Sequence, residues 1–180
     1  MLLVLLALAP GPASAEDLVT DDPNKVKAAF LRHFAHYVTW PSGAFPGKDA
    51  PWCIGILGAD PFGAILEKAL QGRVEQGHTF TVRRAKVLDE LPACHIVYIT
   101  YPAPEQRRAA LARFKGKPVL TVGEAPEFLQ EGGVVLLEVD GRVRMSINLD
   151  QARAATLEVQ TKMLEVSSAV LENGELRRVR

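Results

Sequence analysis

Short continuous apolar runs alternate along the chain with stretches in which apolar residues recur every three or four positions. The first pattern predicts buried strands and the second predicts helices. The predicted strands cover residues 52–57, 79–84, 95–100 and 118–122, and the predicted helices between them cover residues 64–70, 104–114 and 126–130. Because strands and helices alternate, we expect an α/β fold, with a single domain in which helices flank a mostly parallel sheet as an α/β sandwich.

The first helix is delimited by clear signals at both ends. Asp22 followed by Pro23 is typical of an N-cap and a first helical turn, and Pro41 after Trp40 stops the helix. The apolar residues of this helix share one face, and they are Val26, Phe30, Phe34 and Tyr37. Part of this aromatic face could remain available to a partner.

The C-terminal third predicts a hairpin followed by a long helix. Residues 134–139 and 142–148 are two strands joined at Asp140-Gly141, and we expect them to close one edge of the sheet. The predicted C-terminal helix runs from residue 150 to about residue 171 and is apolar on two faces. One face is a stripe of Leu157, Leu164 and Leu171. Either the sheet and the first helix cover both faces, or the leucine stripe is an interface with a second protomer or a partner protein.

The N-terminus carries the pattern of an export signal. Residues 2–9 are all apolar, Pro10-Gly11-Pro12 breaks the run, and Ala13-Ser14-Ala15 offers small residues for a signal peptidase. The apolar run is too short to span a bilayer as a helix. We therefore expect a signal peptide at 1–15, a flexible leader at 16–22, the α/β domain at 23–172 and a C-terminal tail at 173–180. The mature protein should not insert into the membrane.

Charge and composition narrow the class of partner. Lys plus Arg and Asp plus Glu both total 21, so the formal net charge is zero, and 48% of the residues are hydrophobic. A protein that binds nucleic acid through phosphates would be expected to have a basic excess. We therefore expect an ordinary globular domain that does not bind nucleic acid.

Two cysteines stand at equivalent positions of two predicted strands. Cys53 and Cys94 lie at the starts of the first and third strands, which are neighbours in a sheet wound in the usual way. Neighbouring strands are about 5 Å apart, within the Cα separation that a disulfide needs. A disulfide is the expected state in an oxidising compartment. The alternative is a pair of buried free thiols.

The motifs of common enzymes and cofactor sites are incomplete in this sequence. The glycines at 58 and 63 lack the Lys-Ser/Thr of a phosphate loop, and no Gly-x-Ser-x-Gly elbow occurs. His33 and His36 lie one turn apart without a carboxylate or cysteine in the same helix to complete a metal site. We therefore expect no catalytic residues, no metal and no cofactor.

Two places are candidate sites for a ligand or partner. Ligands of open α/β sheets bind beyond the carboxyl ends of strands, which here means the turn with Asp60 and Phe62 and the turns at residues 101–102 and 123–124. The second place is one face of the strand 142–148, where the polar residues Arg142, Arg144, Ser146 and Asn148 alternate with apolar ones. Two arginines on one strand face can bind a carboxylate or phosphate.

A series of motifs in order resembles the YfiR-like family of bacterial periplasmic proteins. These motifs are FAHYVTWP at 34–41, CIGILGADPFG at 53–63, LPACHIVYI at 91–99, PVLTVG at 118–123 and INL at 147–149. The resemblance runs from about Val26 to Val170.

The resemblance implies a function as well as a fold. It implies a non-enzymatic periplasmic regulator, a homodimer, that binds the periplasmic sensor region of an inner-membrane diguanylate cyclase and inhibits it. Cyclic di-GMP signalling would then fall. Cys53 and Cys94 match one cysteine pair of the family, whereas the second pair of some members is missing here. The alternative from the residues alone is a periplasmic small-ligand binding protein that resembles one lobe of a solute receptor.

Overall fold

The computed structural model describes residues 22–179 and places them in one α/β domain with a mostly parallel eight-stranded sheet. The predicted fold class is therefore confirmed. The predicted signal peptide at 1–15 and the predicted leader up to residue 21 lie outside the described residues.

The elements follow one another along the chain as strands separated by helices. The strands are β1 (Val38–Thr39), β2 (Trp52–Leu57), β3 (Phe80–Ala85), β4 (Ile96–Ile99), β5 (Leu120–Gly123), β6 (Val135–Asp140), β7 (Arg142–Asn148), β8 (Glu158–Val159), β9 (Ala169–Glu172) and β10 (Glu175–Arg178). The helices are α1 (Pro23–Tyr37), α2 (Ala64–Leu70), α3 (Pro104–Phe114), α4 (Leu149–Ala154) and α5 (Thr161–Glu165). Between residues 22 and 179, no helix is long and apolar enough to cross a bilayer.

The main sheet has the strand order β10-β9-β7-β6-β5-β4-β2-β3. Strands β3, β2, β4, β5 and β6 are parallel, β7 runs antiparallel to β6, and β9 pairs parallel with β7. Every residue of β2, β4 and β5 is buried. Continuous apolar runs of this kind belong to parallel strands that are covered on both faces.

Two hydrophobic clusters fill the space on either side of this sheet. The larger one joins α1, α2 and α4 to residues such as Ile54, Ile56 and Tyr98. The smaller one joins α3 to the opposite face, where Cys53, Val97 and Ile99 lie. The domain thus has three layers, with α1 and α2 on one face of the sheet and α3 on the other.

Helix α1 is capped as predicted, and it packs on the sheet mainly through residues outside the predicted aromatic face. The Asp22 carboxylate accepts a hydrogen bond from the Asn24 backbone N–H at 3.0 Å. The buried residues of α1 are Lys27, Ala28, Leu31, Phe34 and Ala35. Of the predicted aromatic face, Phe34 is buried, whereas Val26, Phe30 and Tyr37 are only half-buried. Most of that face therefore lies outside the core.

The predicted long C-terminal helix is wrong. Residues 149–172 form α4, β8, α5 and β9 in succession, and Thr156 adopts a left-handed φ of 56° just beyond α4. Strand β8 pairs with β1, and β9 pairs with β7 over Ser146–Asn148. These partners are distant in sequence, so pairing and burial override the helical spacing of the apolar residues. The sequence shows apolar residues on two sides of the predicted helix because this segment is buried from several sides.

The hairpin of β6 and β7 is confirmed as a hairpin, but it does not close an edge of the sheet. Strands β9 and β10 continue the sheet beyond β7. Residues 175–178 of the predicted C-terminal tail are strand β10, which pairs antiparallel with β9. The short helix predicted at 126–130 is a series of turns.

Phe128 lies in these turns, and its ring packs between the end of β5 and the residue that precedes Val134 and β6. Its ring is fully buried and lies between the backbones of Gly123 and Gly133, where an added Cβ on either glycine would overlap the ring. Glycine is needed at both positions because the backbone lies this close to the Phe128 ring.

We expect Gly133→Ala to lower the free energy of unfolding by about 1 to 3 kcal/mol, because the added methyl group overpacks the Phe128 site. Urea unfolding measures this change. The matched control is Gly47→Ala, since no atom lies within 4 Å of a Cβ built there, and its unfolding free energy should change by less than about 0.5 kcal/mol. Equal stability of the two variants would contradict this packing.

Candidate functional site

A cleft opens at the carboxyl edge of the parallel sheet, between the turns that follow β2 and β4. The chain leaves β2 toward β3 on one side, and β4 lies on the other side, so this is the point where the strand order reverses. The cleft has a volume of about 590 Å³. Its walls include Asp60, Tyr101, Pro102 and Glu124, so the structure brings together the three turns that the sequence predicts.

Two buried side chains, Lys27 and Tyr98, bond the exposed carboxylate of Glu124 and fix the floor of this cleft. The Lys27 ammonium lies 2.7 Å from one carboxylate oxygen of Glu124, and the Tyr98 hydroxyl donates a hydrogen bond to the other. The Lys27 side chain is only 7% exposed, so it requires this carboxylate. Burial, reinforced by the bond to Glu124, raises the pKa of Tyr98 well above the usual tyrosine value. Tyr98 therefore remains a hydrogen-bond donor at any physiological pH.

Arg107 of α3 holds the wall on the other side of the cleft. Its guanidinium bonds the Glu131 carboxylate through Nε at 2.8 Å and Nη2 at 2.9 Å. It also donates to the backbone carbonyls of Tyr101 and Pro102. The bond to Glu131 raises the pKa of Arg107. Because these bonds occupy the guanidinium, its role is to position the turn after β4.

Asp60 and Phe62 are both structural parts of the turn after β2. The Asp60 carboxylate accepts the backbone N–H groups of Phe62 at 2.8 Å and Gly63 at 3.2 Å, and it pairs with Arg84. Phe62 is 2% exposed and packs edge-on against Tyr98, with ring centroids 5.0 Å apart. Asp60 lines the cleft, whereas Phe62 lies below it in the core. A binding role for this pair stays a prediction.

The polar residues of β7 do not gather into one site. Arg142 and Arg144 are exposed, whereas Ser146 and Asn148 are buried. The Asn148 amide oxygen caps α4 by accepting the Gln151 N–H, and its NH₂ group donates to the Leu129 carbonyl. Asn148 lies six positions beyond Arg142 along the strand, which is a distance of about 20 Å. Asn148 has a structural role, and ligand binding by the two arginines stays a prediction.

An apolar recess of the described surface lies between α1 and α5, and we name it the α1–α5 groove. Its volume is about 570 Å³. It is lined mainly by apolar residues, among them Val26, Phe30, Tyr37, Met145, Met163 and Val166. The Val166 residue is 72% exposed, the highest value among the large exposed apolar residues. This groove is the half-buried aromatic face of α1, completed by the segment around α5.

The predicted leucine stripe does not exist as one surface. Leu157 is 2% exposed and belongs to the larger core cluster, and Leu164 packs against the same cluster. Leu171 packs against the smaller cluster on the opposite face of the sheet. The three leucines are separated because the segment is not a continuous helix.

Sequence reasoning missed Lys27, Arg107 and the α1–α5 groove. Lys27 and Arg107 have no motif around them, and their ion-pair partners are 97 and 24 residues away. For the groove, the signal was the aromatic face of α1, part of which was predicted to be available to a partner.

Cys53 and Cys94 form a disulfide, as predicted from their strands. Their Cα atoms are 4.6 Å apart, and β2 and β4 are parallel neighbours. Among residues 22–179, no group of three or more His, Cys, Asp or Glu side chains could hold a metal ion.

The family model described as DUF4154, YfiR/HmsC-like, matches residues 24–168. No curated protein matches the chain.

We expect unreduced protein, purified from an oxidising compartment and unfolded in denaturant, to show no free thiol, because the disulfide consumes both cysteines of the chain. Titration with a thiol reagent checks this, and the reduced protein, with two thiols per chain, is the control. Reduction should also lower the free energy of unfolding by about 4 kcal/mol on the chain-entropy account. Two thiols before reduction would show that the bond does not form.

Proposed function

The chain belongs to the YfiR/HmsC-like family, and we propose that it is a periplasmic, non-enzymatic regulator of diguanylate cyclase signalling. In this proposal it binds the periplasmic sensor region of an inner-membrane diguanylate cyclase and inhibits the enzyme, so that less cyclic di-GMP is made. The observation that carries the proposal is the family match, which covers residues 24–168 of the domain. The residues are consistent with a non-enzymatic role, since Asp60, Arg107 and Glu124 of the cleft are engaged in holding its walls.

We propose further that the sensor docks on the α1–α5 groove. The α1 wall extends from Val26 to Tyr37, and a helix rises about 1.5 Å per residue, so the wall is about 16 Å long. That length accommodates three turns of an amphipathic helix, which lays its apolar face into such grooves. The groove is apolar along its length, with Lys162 and Glu165 at its rim. We therefore expect the docking segment of the sensor to be an amphipathic helix.

A second copy of the chain is the competing occupant of the α1–α5 groove. The family resemblance predicts a homodimer, and a self-complementary apolar face is the usual interface of one. Variants in the groove therefore have to be assayed for both self-association and cyclase binding.

A periplasmic small-ligand binding protein is the second candidate function. The observation that favours it is the cleft of about 590 Å³ at the reversal of strand order, which is where α/β sheets bind ligands. Apolar residues at its rim, including Pro61, Pro102 and Pro126, surround the carboxylates of Asp60 and Glu124. This combination would suit a small ligand with an apolar body.

We expect Val166→Glu to abolish capture of the cyclase from membranes by the tagged mature protein and to raise cellular cyclic di-GMP. The new charge would lie in the apolar contact and lose its hydration there. Its free energy of unfolding should change by less than about 0.5 kcal/mol, because Val166 is exposed in the free protein.

The matched control is Val87→Glu, since Val87 is 51% exposed and lies outside the α1–α5 groove. This variant should capture the cyclase as the wild type does. Normal capture by Val166→Glu would contradict docking in the groove, and so would loss of dimerisation with cyclase binding intact. Failure of the wild-type protein to capture any cyclase would contradict the proposed function itself.

For the ligand hypothesis, we expect native mass spectrometry of protein taken from the periplasm to show one bound small molecule per chain. Ala59→Trp should remove it, because Ala59 is exposed and its new side chain would fill the cleft. The control is Ala109→Trp on the exposed side of α3, away from the cleft. A bare chain mass for the wild type, or equal occupancy in both variants, would count against a receptor.

A further inference from the structure

Strand β3 is an outer strand of the main sheet, since β2 is the only described strand with which it pairs. The ladder between the two strands uses every second residue of β3 and its flanks. The Thr79 carbonyl accepts the N–H of Trp52 at 2.8 Å. The Ala85 carbonyl accepts the N–H of Gly58 at 2.9 Å. The odd-numbered residues of β3 therefore direct their backbone groups toward β2.

The even-numbered residues of β3 direct their backbone groups away from the sheet. These residues are Phe80, Val82 and Arg84, and we name their outward side the β3 edge. No described strand pairs with this side of β3. A row of unpaired N–H and C=O groups is a template for the backbone of another strand.

A recess of about 570 Å³ runs along the β3 edge, between α2 and β3, and we name it the α2–β3 recess. Leu70 and Val74 line it from the α2 side, and Phe80 and Val82 line it from the strand. Val74 is 57% exposed although its side chain is large and apolar. A strand added beside β3 would direct every second side chain toward this recess, where apolar side chains would cover Val74.

Four cationic side chains around the β3 edge form no salt bridge with a described residue. Of the two arginines of β3, Arg84 is paired with Asp60 and Glu67, whereas Arg83 points to solvent. The four exposed cations are Lys68, Arg73, Arg83 and Lys86. The surface beside the unpaired backbone groups is therefore positively charged.

This charge discriminates between the strands that could pair with β3. A second copy of the chain would bring the same cations to the interface twice, and like charges across a strand pair are destabilising. Charged residues on edge strands commonly prevent such self-pairing. An acidic strand would be attracted by the same cations. The β3 edge is thus closed to a second copy and open to an acidic segment.

We propose that the β3 edge binds an extended acidic segment of a partner protein, which adds a strand beside β3. Its apolar side chains lie over the α2–β3 recess, and its carboxylates alternate with them and face Arg83. In this mode of recognition the main-chain bonds give affinity, and the alternate side chains give specificity. The α2–β3 recess shares no lining residue with the α1–α5 groove or the cleft, so the proposal does not depend on the proposed function.

Fluorescence anisotropy with a synthetic peptide tests this proposal on the whole mature protein. The probe is a fluorescein-labelled heptapeptide in which glutamate alternates with valine. One control peptide has the same sequence with an N-methylated backbone, so it keeps the charge and loses the N–H donors. The other control has lysine in place of glutamate. Both controls should bind at least about tenfold more weakly than the probe, because they lose hydrogen bonds or gain repulsion.

Hydrogen exchange followed by NMR distinguishes strand addition from attraction by charge alone. With the probe about tenfold above its Kd, exchange at the amides of Phe80, Val82 and Arg84 should slow by about tenfold. The amides of Thr81 and Arg83 face β2 and are the internal reference. Equal slowing at both sets, or no slowing at the even-numbered residues, would overturn the proposal. Protection of the even-numbered amides in the free protein that falls on dilution would also overturn it, because a second copy would then occupy the edge.

Val82→Pro removes one outward N–H and leaves the ladder to β2 in place, since proline is accepted on edge strands where the N–H faces solvent. This variant should bind the probe at least about tenfold more weakly than Val82→Thr, which keeps both the N–H and the branched Cβ. Urea unfolding of both variants checks that they are folded. Equal affinity of the two folded variants would contradict strand pairing at this edge.

Arg83→Glu tests the charge without changing the backbone. It should weaken binding of the probe by about fivefold. The matched control is Arg142→Glu, which makes the same charge change at an exposed arginine of β7 and should bind as the wild type does. Equal weakening in both variants would show that only net charge matters and would overturn the proposal. So would the absence of binding by the wild-type protein at about 1 mM probe, which is weaker than about −4 kcal/mol.

Discussion

The requirement that both faces of the central parallel sheet be covered determines most of this structure. Strands β2, β4 and β5 are buried along their whole length, so apolar layers must lie above and below them. Helices α1 and α2 supply one layer and α3 supplies the other. Polar groups that could contact a ligand are consequently found at the ends of the strands, and apolar groups that could contact a partner are found on the outer sides of the helices.

The two candidate surfaces arise from this arrangement for different reasons. The cleft exists because the chain leaves β2 in one direction and enters β4 in the other, so no helix covers the gap. The α1–α5 groove exists because α1 buries the face with Lys27 and Leu31 against the sheet side and leaves Phe30 and Tyr37 half-buried. Lys27 can lie in that buried face only because Glu124 neutralises it from the carboxyl end of β5. The Lys27–Glu124 ion pair therefore links α1, which lines the groove, to the floor of the cleft.

At the opposite, amino edge of the sheet, the strands and the neighbouring loop are held by different kinds of bond. There the disulfide joins β2 to β4, and His95 beside it bonds both the Cys53 backbone and the loop of residues 41–51. The covalent bond fixes the strands, whereas the loop is held by hydrogen bonds and stacked rings.

Local chemistry allowed the sequence by itself to determine several parts of this protein. The cap at Asp22, the strand 52–57, the helix 104–114 and the pairing of Cys53 with Cys94 all follow from residues near one another or from the rule that alternating strands and helices form a parallel sheet. The positions of the cleft turns follow from the same rule.

Tertiary structure alone decided the C-terminal segment and the orientation of α1. The apolar spacing of residues 150–171 is compatible with a helix, and only the ladders of β8 with β1 and of β9 with β7 select strands there. Likewise, Val26, Phe30 and Tyr37 are as apolar as the face that is buried, and the buried face also contains Lys27, whose ion-pair partner Glu124 is 97 residues away. In both cases two arrangements satisfy the local pattern about equally, so the free energy of contacts far apart in sequence decides between them.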